Sequence, residues 1–261
     1  MTPEQLLSHY DAGRPWSAGS GLEVGEAYQR ALAVRRLREA RGERPRGYKV
    51  GFTNRTIWPR YGVYAPIWGT VWDSTLAFCE GQGEVSLAGA VQPRIEPECV
   101  FGLRATPPPD ASLEALRDCL DWVAPGFEIV QSHMPDWKFS AADSVADGGL
   151  HARLLVGPRI AADGLPRDAA AFDAALAQAQ VRLLRDGAQV DEGRGANVLD
   201  GPLQALRHFL QELRACPGAA ALQAGDVVTT GTWTDAHPVQ TGQAWRADFR
   251  GALAPLEVRF T

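Results

Sequence analysis

Apolar positions change their period once along the chain, near residue 48, and the two parts predict different structure. In residues 23–42 (EVGEAYQRALAVRRLREARG), Tyr28, Leu32, Val34 and Leu37 recur near helical spacing, with Gly42 and Pro45 marking the end. Together with the short apolar stretch around Leu6, this predicts a helical N-terminal region over residues 1–47. Over residues 48–261, short apolar runs are broken by Gly and Pro, which is the pattern of strands. The runs are VQPRIEPECVFGL (91–103), GFEIVQS (126–132), LHARLLVG (150–157), QVRLLRDGAQV (180–190), GDVVTTG (225–231) and LEVRF (256–260). Asp186-Gly187 is a hairpin-turn pair inside the fourth. Two helices interrupt the strands: Leu113, Leu116 and Leu120 mark one after the loop TPPPD. Pro202 opens the other, which carries Leu203, Leu206, Phe209, Leu210 and Leu213 on one side. These elements predict an α+β chain with a rolled or sandwiched β core. They do not fix the strand order.

Composition narrows the possible functions. With 261 residues, 45% of them hydrophobic and 22% charged, the chain can bury a sizeable core. A net charge of −5 speaks against nucleic acid, which needs a concentrated basic surface. The densest basic stretch, Arg35 to Arg46, is interleaved with Glu39 and Glu43 and reads as a solvated helix face. No apolar run approaches the roughly 20 residues of a membrane helix. The N-terminus lacks the layout of a signal peptide. Cys79, Cys99, Cys119 and Cys216 show no paired spacing and read as reduced thiols, so a cytoplasmic protein is expected.

Several common chemistries have no motif here. GxSxG, GxxxxGK[ST] and HExxH are absent, and GQGEVS (81–86) lacks the third glycine of a dinucleotide loop. His9, His133, His151, His208 and His237 are scattered singly, as core or surface histidines are.

The carboxylates are more informative. If Arg94-Ile95-Glu96-Pro97-Glu98-Cys99 is a strand, Arg94, Glu96 and Glu98 share one face. Two carboxylates side by side on a half-apolar strand repel each other unless a cation lies between them. Glu128, inside the apolar run Phe127-Glu128-Ile129-Val130, offers a third oxygen ligand. Such a set suits Mg²⁺ or Mn²⁺. Pro97 leaves a plainer reading open, an exposed edge strand.

Lys49 lies in the apolar run Tyr48-Lys49-Val50-Gly51-Phe52, and Lys138 lies close to Asp143 and Asp147. A lysine partly buried near carboxylates can move protons, because burial tunes its pKa; an ordinary lysine snorkels into water. Between them, Trp58, Tyr61, Tyr64, Trp68 and Trp72 recur every three or four residues. Pro59, Gly62, Pro66 and Gly69 break a helix there, which favours an aromatic loop over a pocket.

Taken together, these segments resemble the fumarylacetoacetate hydrolase superfamily, in its 2-hydroxydienoate hydratase and 4-oxalocrotonate decarboxylase branch. The matching pieces are Lys49-Val50-Gly51-Phe52-Thr53, Ile95-Glu96-Pro97-Glu98, Phe127-Glu128-Ile129-Val130, Asp143-Ser144-Val145-Ala146-Asp147, GANVLDGPL (195–203) and GDVVTTG (225–231). The resemblance implies a mixed β-sandwich roll of the hydrolase C-terminal type behind a small helical N-terminal region. It implies Mg²⁺ or Mn²⁺ on Glu96, Glu98 and Glu128, with Lys49, Lys138 and Asp143 as catalytic residues. Ile67, Thr230, Gly231 and Thr232 would then contact a small 2-oxo acid. A homo-oligomer, or a complex with a related hydratase or decarboxylase, is also implied.

Two positions depart from the branch. Hydratases resembling this chain place an aspartate where Pro66-Ile67-Trp68-Gly69 has Ile67; decarboxylases place an apolar residue there and a lysine at Lys138. The loop Thr234-Asp235-Ala236-His237-Pro238 is more polar than usual for the branch. The expected activity is therefore a metal-dependent lyase that decarboxylates a 2-oxo diacid. A 2-oxopent-4-enoate-type hydratase comes next, then an acylpyruvate C–C hydrolase, for which residues 50–72 show no His–Glu pair. A non-catalytic partner subunit is the last alternative.

Overall fold

The structure, a computed structural model, describes residues 1–261. The chain opens with α1 (Pro3–Ala12), α2 (Val24–Ala40), β1 (Pro45–Gly51), α3 (Trp58–Tyr61), β2 (Ile67–Trp72), β3 (Leu76–Phe78) and β4 (Gln82–Val85). It continues with β5 (Arg94–Leu103), α4 (Leu113–Asp118), β6 (Leu120–Val130), α5 (Ala141–Ala146), β7 (His151–Val156) and β8 (Ile160–Ala161). The last part holds α6 (Ala169–Gln178), β9 (Gln180–Arg185), β10 (Ala188–Arg194), α7 (Pro202–Ala215), β11 (Val227–Thr232), β12 (His237–Pro238), β13 (Ala244–Arg250) and β14 (Leu256–Phe260).

Strands β2-β1-β11-β5-β6-β7-β3 lie side by side in a large sheet, with β12 on β5 and β8 on β6. Strands β10-β9-β13-β14-β4 form a second, smaller sheet. Ile95, Phe101 and Phe127 from the first sheet share one core with Trp233, Trp245 and Leu256. The helical region packs on the large sheet: Leu6, Trp16 and Ala27 bury against Ile67, Ala142, Val145 and Ala146. No helix is long and apolar enough to cross a membrane.

Local chemistry explains most boundaries. Thr2 and Gln5 form a capping box ahead of α1, and Pro202 occupies the first turn of α7, where its missing N–H costs nothing. Helix α7 buries Leu203, Leu206, Phe209, Leu210 and Leu213, roughly 1.5–3 kcal/mol for each fully buried side chain. Asp186 and Gly187, at φ 50 and 84, make the two-residue turn between β9 and β10.

Some expectations change. Helix α4 ends at Asp118, and Leu120 instead starts β6, paired with Leu103. The sequence pattern does not predict helix α6, because alanines fill most of AAAFDAALAQ and leave only a weak face; it buries Ala169, Phe172 and Leu176. The aromatic segment is not one loop. Pro59 and Gly62 bound the single helical turn α3, Trp68 and Trp72 are buried on β2, and Tyr64 is exposed. Nor is β5 an edge strand: it lies between β11 and β6. Pro97 is tolerated because the β11 register breaks between Thr229 and Thr232, beside the missing N–H.

Candidate metal centre and its cavity

The β5–β6 ladder places Glu96 directly opposite Glu128, with Glu98 two residues further along the same face. Oxygens of the three carboxylates all lie within 4.8 Å of one another. Glu98 and Glu128 are fully buried. Like charges at this spacing repel, and burial strengthens the effect. Burial, followed by the Glu128 charge, pushes the Glu96 pKa up to about 7. The same causes push Glu98 well above the usual carboxylate range. Despite its burial, Glu128 is held below that range by Lys49 and His151.

Glu98 and Glu128 are fixed by different elements. The backbone N–H groups of Thr230 and Gly231 donate to Glu98 Oε2 at 3.0 and 2.6 Å. They become available because β11 bulges here, with Gly231 at φ 98 and so close to Thr53 that a Cβ would fall 1.9 Å from Thr53 Oγ1. His151 Nδ1 lies 2.9 Å from Glu128 Oε1, and its Nε2 lies 2.8 Å from Thr75 Oγ1. Burial lowers the His151 pKa, so the neutral ring donates from Nδ1 to Glu128 and accepts at Nε2. Lys49 Nζ donates to the Gly149 carbonyl at 2.8 Å and stands 3.5 Å from Glu128 Oε2. Burial opposes the Lys49 charge, but Glu128, Glu96 and Glu98 together raise its pKa above the ordinary value. Gly149 allows this approach: a Cβ there would meet Gly69 N at 2.9 Å and Lys49 Cδ at 3.1 Å.

Glu98 Oε1 and Glu128 Oε2 are left buried without a hydrogen-bond partner. A divalent cation between them would satisfy both and offset the repulsion, so the residues present fit Mg²⁺ or Mn²⁺. This has a measurable consequence. Glu96 and Glu98 must both lose their protons to ligate, so Mg²⁺ affinity should fall by at least about tenfold per pH unit below pH 7. In the metal-free protein, a carboxylate whose pKa rises on folding destabilises the fold progressively from pH 4.5 to about 7. The rise in melting temperature on adding Mg²⁺ to chelator-treated protein should therefore be larger at pH 8 than at pH 6. Equal rises at both pH values would contradict this coupling.

Glu96 and Lys49 open onto a cavity of about 620 Å³. Ile67, Gly149, Leu150, Tyr61, Trp137, Phe139 and the 232–237 loop line it, together with the charged side chains of Arg60, Arg94, Asp191 and Glu192. Ring stacking of Phe52 on Tyr61 (4.7 Å) and of Tyr61 on Phe139 (5.6 Å) makes one wall aromatic.

The remaining expected site residues divide. Ile67 is buried and lines the cavity, and Thr232 lines it as well. Thr230 and Gly231 do not offer their N–H groups to a substrate, since Glu98 already accepts them. Lys138 is not in the cavity: its side chain is 78% exposed and faces Asp136 at 3.4 Å. Strand spacing cannot reveal this, because the positive φ of Asp136 and Trp137 turns the chain just before it. Lys138→Met should leave turnover within about twofold and stability within about 0.5 kcal/mol, as surface changes usually do. A large loss of turnover would restore Lys138 to the site. Asp143 caps α5 through Ser140 and accepts the Ser20 N–H at 2.6 Å, tying the N-terminal region to α5 outside the cavity.

Two features of the site had no sequence signal. His151 reaches Glu128 only through the irregular β6–β7 register, and no spacing rule encodes that. Asp191 on β10 accepts both His237 Nε2 (2.7 Å) and the Asp235 N–H (3.2 Å), which pins the polar loop to the second sheet.

Comparison with known proteins gives concordant matches. The model of the fumarylacetoacetate (FAA) hydrolase C-terminal family matches residues 76–260. A 2-hydroxyhexa-2,4-dienoate hydratase of Comamonas testosteroni is 30% identical over 242 residues, covering 92% of this chain and 87% of that protein. A 4-oxalocrotonate decarboxylase of a Pseudomonas species is 32% identical over 226 residues, 84% of this chain and 80% of that protein. Among solved structures, a 4-oxalocrotonate decarboxylase from Pseudomonas putida G7, complexed with magnesium and adipate, superposes with a TM-score of 0.85. Its identity is 25%, with 100% of this chain and 99% of that chain covered.

Proposed function

The chain belongs to the fumarylacetoacetate hydrolase family, and from that premise we propose that it is a divalent-metal-dependent lyase that decarboxylates a small 2-oxo diacid. The observation that carries this reading is the carboxylate cluster, with two buried oxygens that accept no hydrogen bond, opening through Glu96 onto a cavity lined by Lys49 and Ile67. The similar decarboxylase structure holding magnesium and a six-carbon diacid supports it.

Glu96, Glu98 and Glu128 would hold the cation, which when bound supplies a Lewis acid for the 2-oxo and adjacent carboxylate oxygens. The protein's own groups do the rest. Lys49 keeps its proton at Nζ, oriented by the Gly149 carbonyl, and can present it to negative charge developing on the oxo oxygen. Ile67 and the aromatic wall present apolar surface to the reacting carbons, which disfavours a departing carboxylate kept from water. No carboxylate at position 67 can activate water. The partner in this reading is the small acid; self-association, or pairing with a related hydratase or decarboxylase, is part of the same proposal and is read by light scattering.

A hydratase is the second reading, favoured by the 30% identity to the dienoate hydratase. Position 67 separates the two. Wild-type protein should release carbon dioxide from a 2-oxo-enedioate and hydrate 2-hydroxypentadienoate poorly. Ile67→Asp should lose the decarboxylation, because a new carboxylate near three glutamates repels the substrate's own charge. Efficient hydration by the wild type, without detectable decarboxylation, would select the hydratase.

A further inference from the structure

Each of the two fully buried glutamates has one oxygen committed to the protein and one that is not. Glu98 Oε2 accepts the N–H groups of Thr230 and Gly231, while Oε1 accepts no hydrogen bond. Glu128 Oε1 faces His151 Nδ1 at 2.9 Å, while Oε2 accepts no hydrogen bond and stands 3.5 Å from Lys49 Nζ. A carboxylate held through one oxygen offers a cation a single ligand atom. The two commitments differ in origin. At Glu98 the donors belong to the main chain of β11. At Glu128 the donor is one side chain, His151.

That side chain is itself held at both ends. The direct partner of Glu128 on β7 is Leu154, and His151 comes to it diagonally, through the register shift between Ile129 and Val130. Its Nε2 lies 2.8 Å from Thr75 Oγ1. Thr75 Oγ1 accepts the Trp72 N–H at 3.1 Å, and the Thr75 carbonyl accepts the Leu154 N–H at 2.8 Å. Turning the buried ring would leave both of its nitrogens, and Glu128 Oε1, without partners. With both nitrogens engaged, His151 is not a fourth ligand. It acts on the cation only through Glu128.

The number of oxygens each carboxylate offers discriminates between cations. Calcium takes roughly six to eight oxygens at about 2.3–2.6 Å and accepts both oxygens of one carboxylate, whereas magnesium demands a near-octahedral set at about 2.0–2.1 Å. We propose that His151 is a positioning residue that sets the cation selectivity of the centre: by holding Glu128 Oε1 it keeps this ligand to one oxygen, which favours a small octahedral cation over calcium. The inference rests on the reading that Glu96, Glu98 and Glu128 hold a divalent cation. Without the Nδ1 donor, Oε1 is a second buried oxygen in need of a partner, and turning toward a large cation satisfies it.

The test is calorimetric titration of chelator-treated protein at pH 8 with Mg²⁺ and, separately, with Ca²⁺. In His151→Leu, Mg²⁺ affinity should fall about 10- to 100-fold, the usual result of losing a group that orients a ligand. Ca²⁺ affinity should hold or rise, so the ratio of the two falls at least about tenfold. His151→Asn, whose amide N–H stands near the place of Nδ1–H, should recover most of the ratio. His151→Gln, whose N–H stands on the Thr75 side, should not, and it repeats the test in a polar side chain if the leucine variant does not fold. Difference infrared spectra with Ca²⁺ should show the two carboxylate stretches of one glutamate drawing together in His151→Leu and His151→Gln but not in wild type. Equal losses for both cations, or a ratio unchanged from wild type, overturn the proposal and leave the metal centre standing. An asparagine variant no better than the glutamine variant overturns it too. Binding of neither cation by wild type overturns the metal centre, and this inference with it.

Discussion

Glu98→Gln should give a protein that folds, melts higher than the parent in chelator, and has no measurable turnover. The three effects share one cause. Glu98 is fully buried, its pKa is driven well above the usual range by burial and by Glu128 and Glu96, and Oε1 has no partner. Above that raised pKa the metal-free fold must hold a buried charge it disfavours; below pH 4.5 it need not. An amide of the same size removes the repulsion and keeps an oxygen for the Thr230 and Gly231 N–H groups. Melting in chelator at pH 8 should therefore rise by several degrees, about 2–4 °C per kcal/mol for a chain this long. With Mg²⁺ the order should reverse, because the variant has lost an anionic ligand. Affinity should fall by more than about 100-fold, the upper end of what losing even an outer-shell partner costs. A variant less stable in chelator yet fully active with Mg²⁺ would show that Glu98 is only a packed side chain.

Lys49→Met should separate catalysis from metal binding. Lys49 Nζ lies 3.5 Å from Glu128 Oε2, beside the cluster but not a ligand candidate. Removing it deletes a positive charge next to three carboxylates, so Mg²⁺ should bind at least as tightly as to the parent. Turnover should fall by about 10²- to 10⁴-fold, the usual contribution of a positioned proton donor. Stability moves in a diagnostic way. In chelator the variant should be clearly less stable, since Glu128 loses the partner that holds its pKa down; Mg²⁺ should restore most of the difference. Turnover near the parent's, with equal destabilisation in both buffers, would assign Lys49 a structural role.

How much of this could be read from sequence depends on the range of each signal. LEVRF, the Asp186-Gly187 turn and the Pro202 helix start are local patterns, and each falls where the period or turn chemistry places it. Glu96 and Glu98 share a face because a strand has period two; that Glu128 stands opposite Glu96 is a matter of register, which spacing could not give, while the resemblance named Glu128 only as a third ligand. Lys138 and Asp143 illustrate the limit. Both lie within ten residues of cavity-lining Trp137 and Phe139, but a positive-φ turn sends one into solvent and a helix cap occupies the other. Gly231 shows the same limit in reverse: its motif is recognisable, but its N–H serves a ligand candidate and not a substrate. In sequence, His151 reads as one of five scattered histidines, because its partner lies 23 residues away across a strand pair.

The most direct test of the central claim is carbon dioxide release from a six-carbon 2-oxo-enedioate by chelator-treated protein, titrated back with Mg²⁺. No release is expected before addition, and recovery should saturate at one ion per site and disappear in Glu96→Gln, Glu98→Gln and Glu128→Gln. Full activity in the exhaustively chelated protein, or Mg²⁺-dependent activity that survives all three substitutions, would contradict that claim.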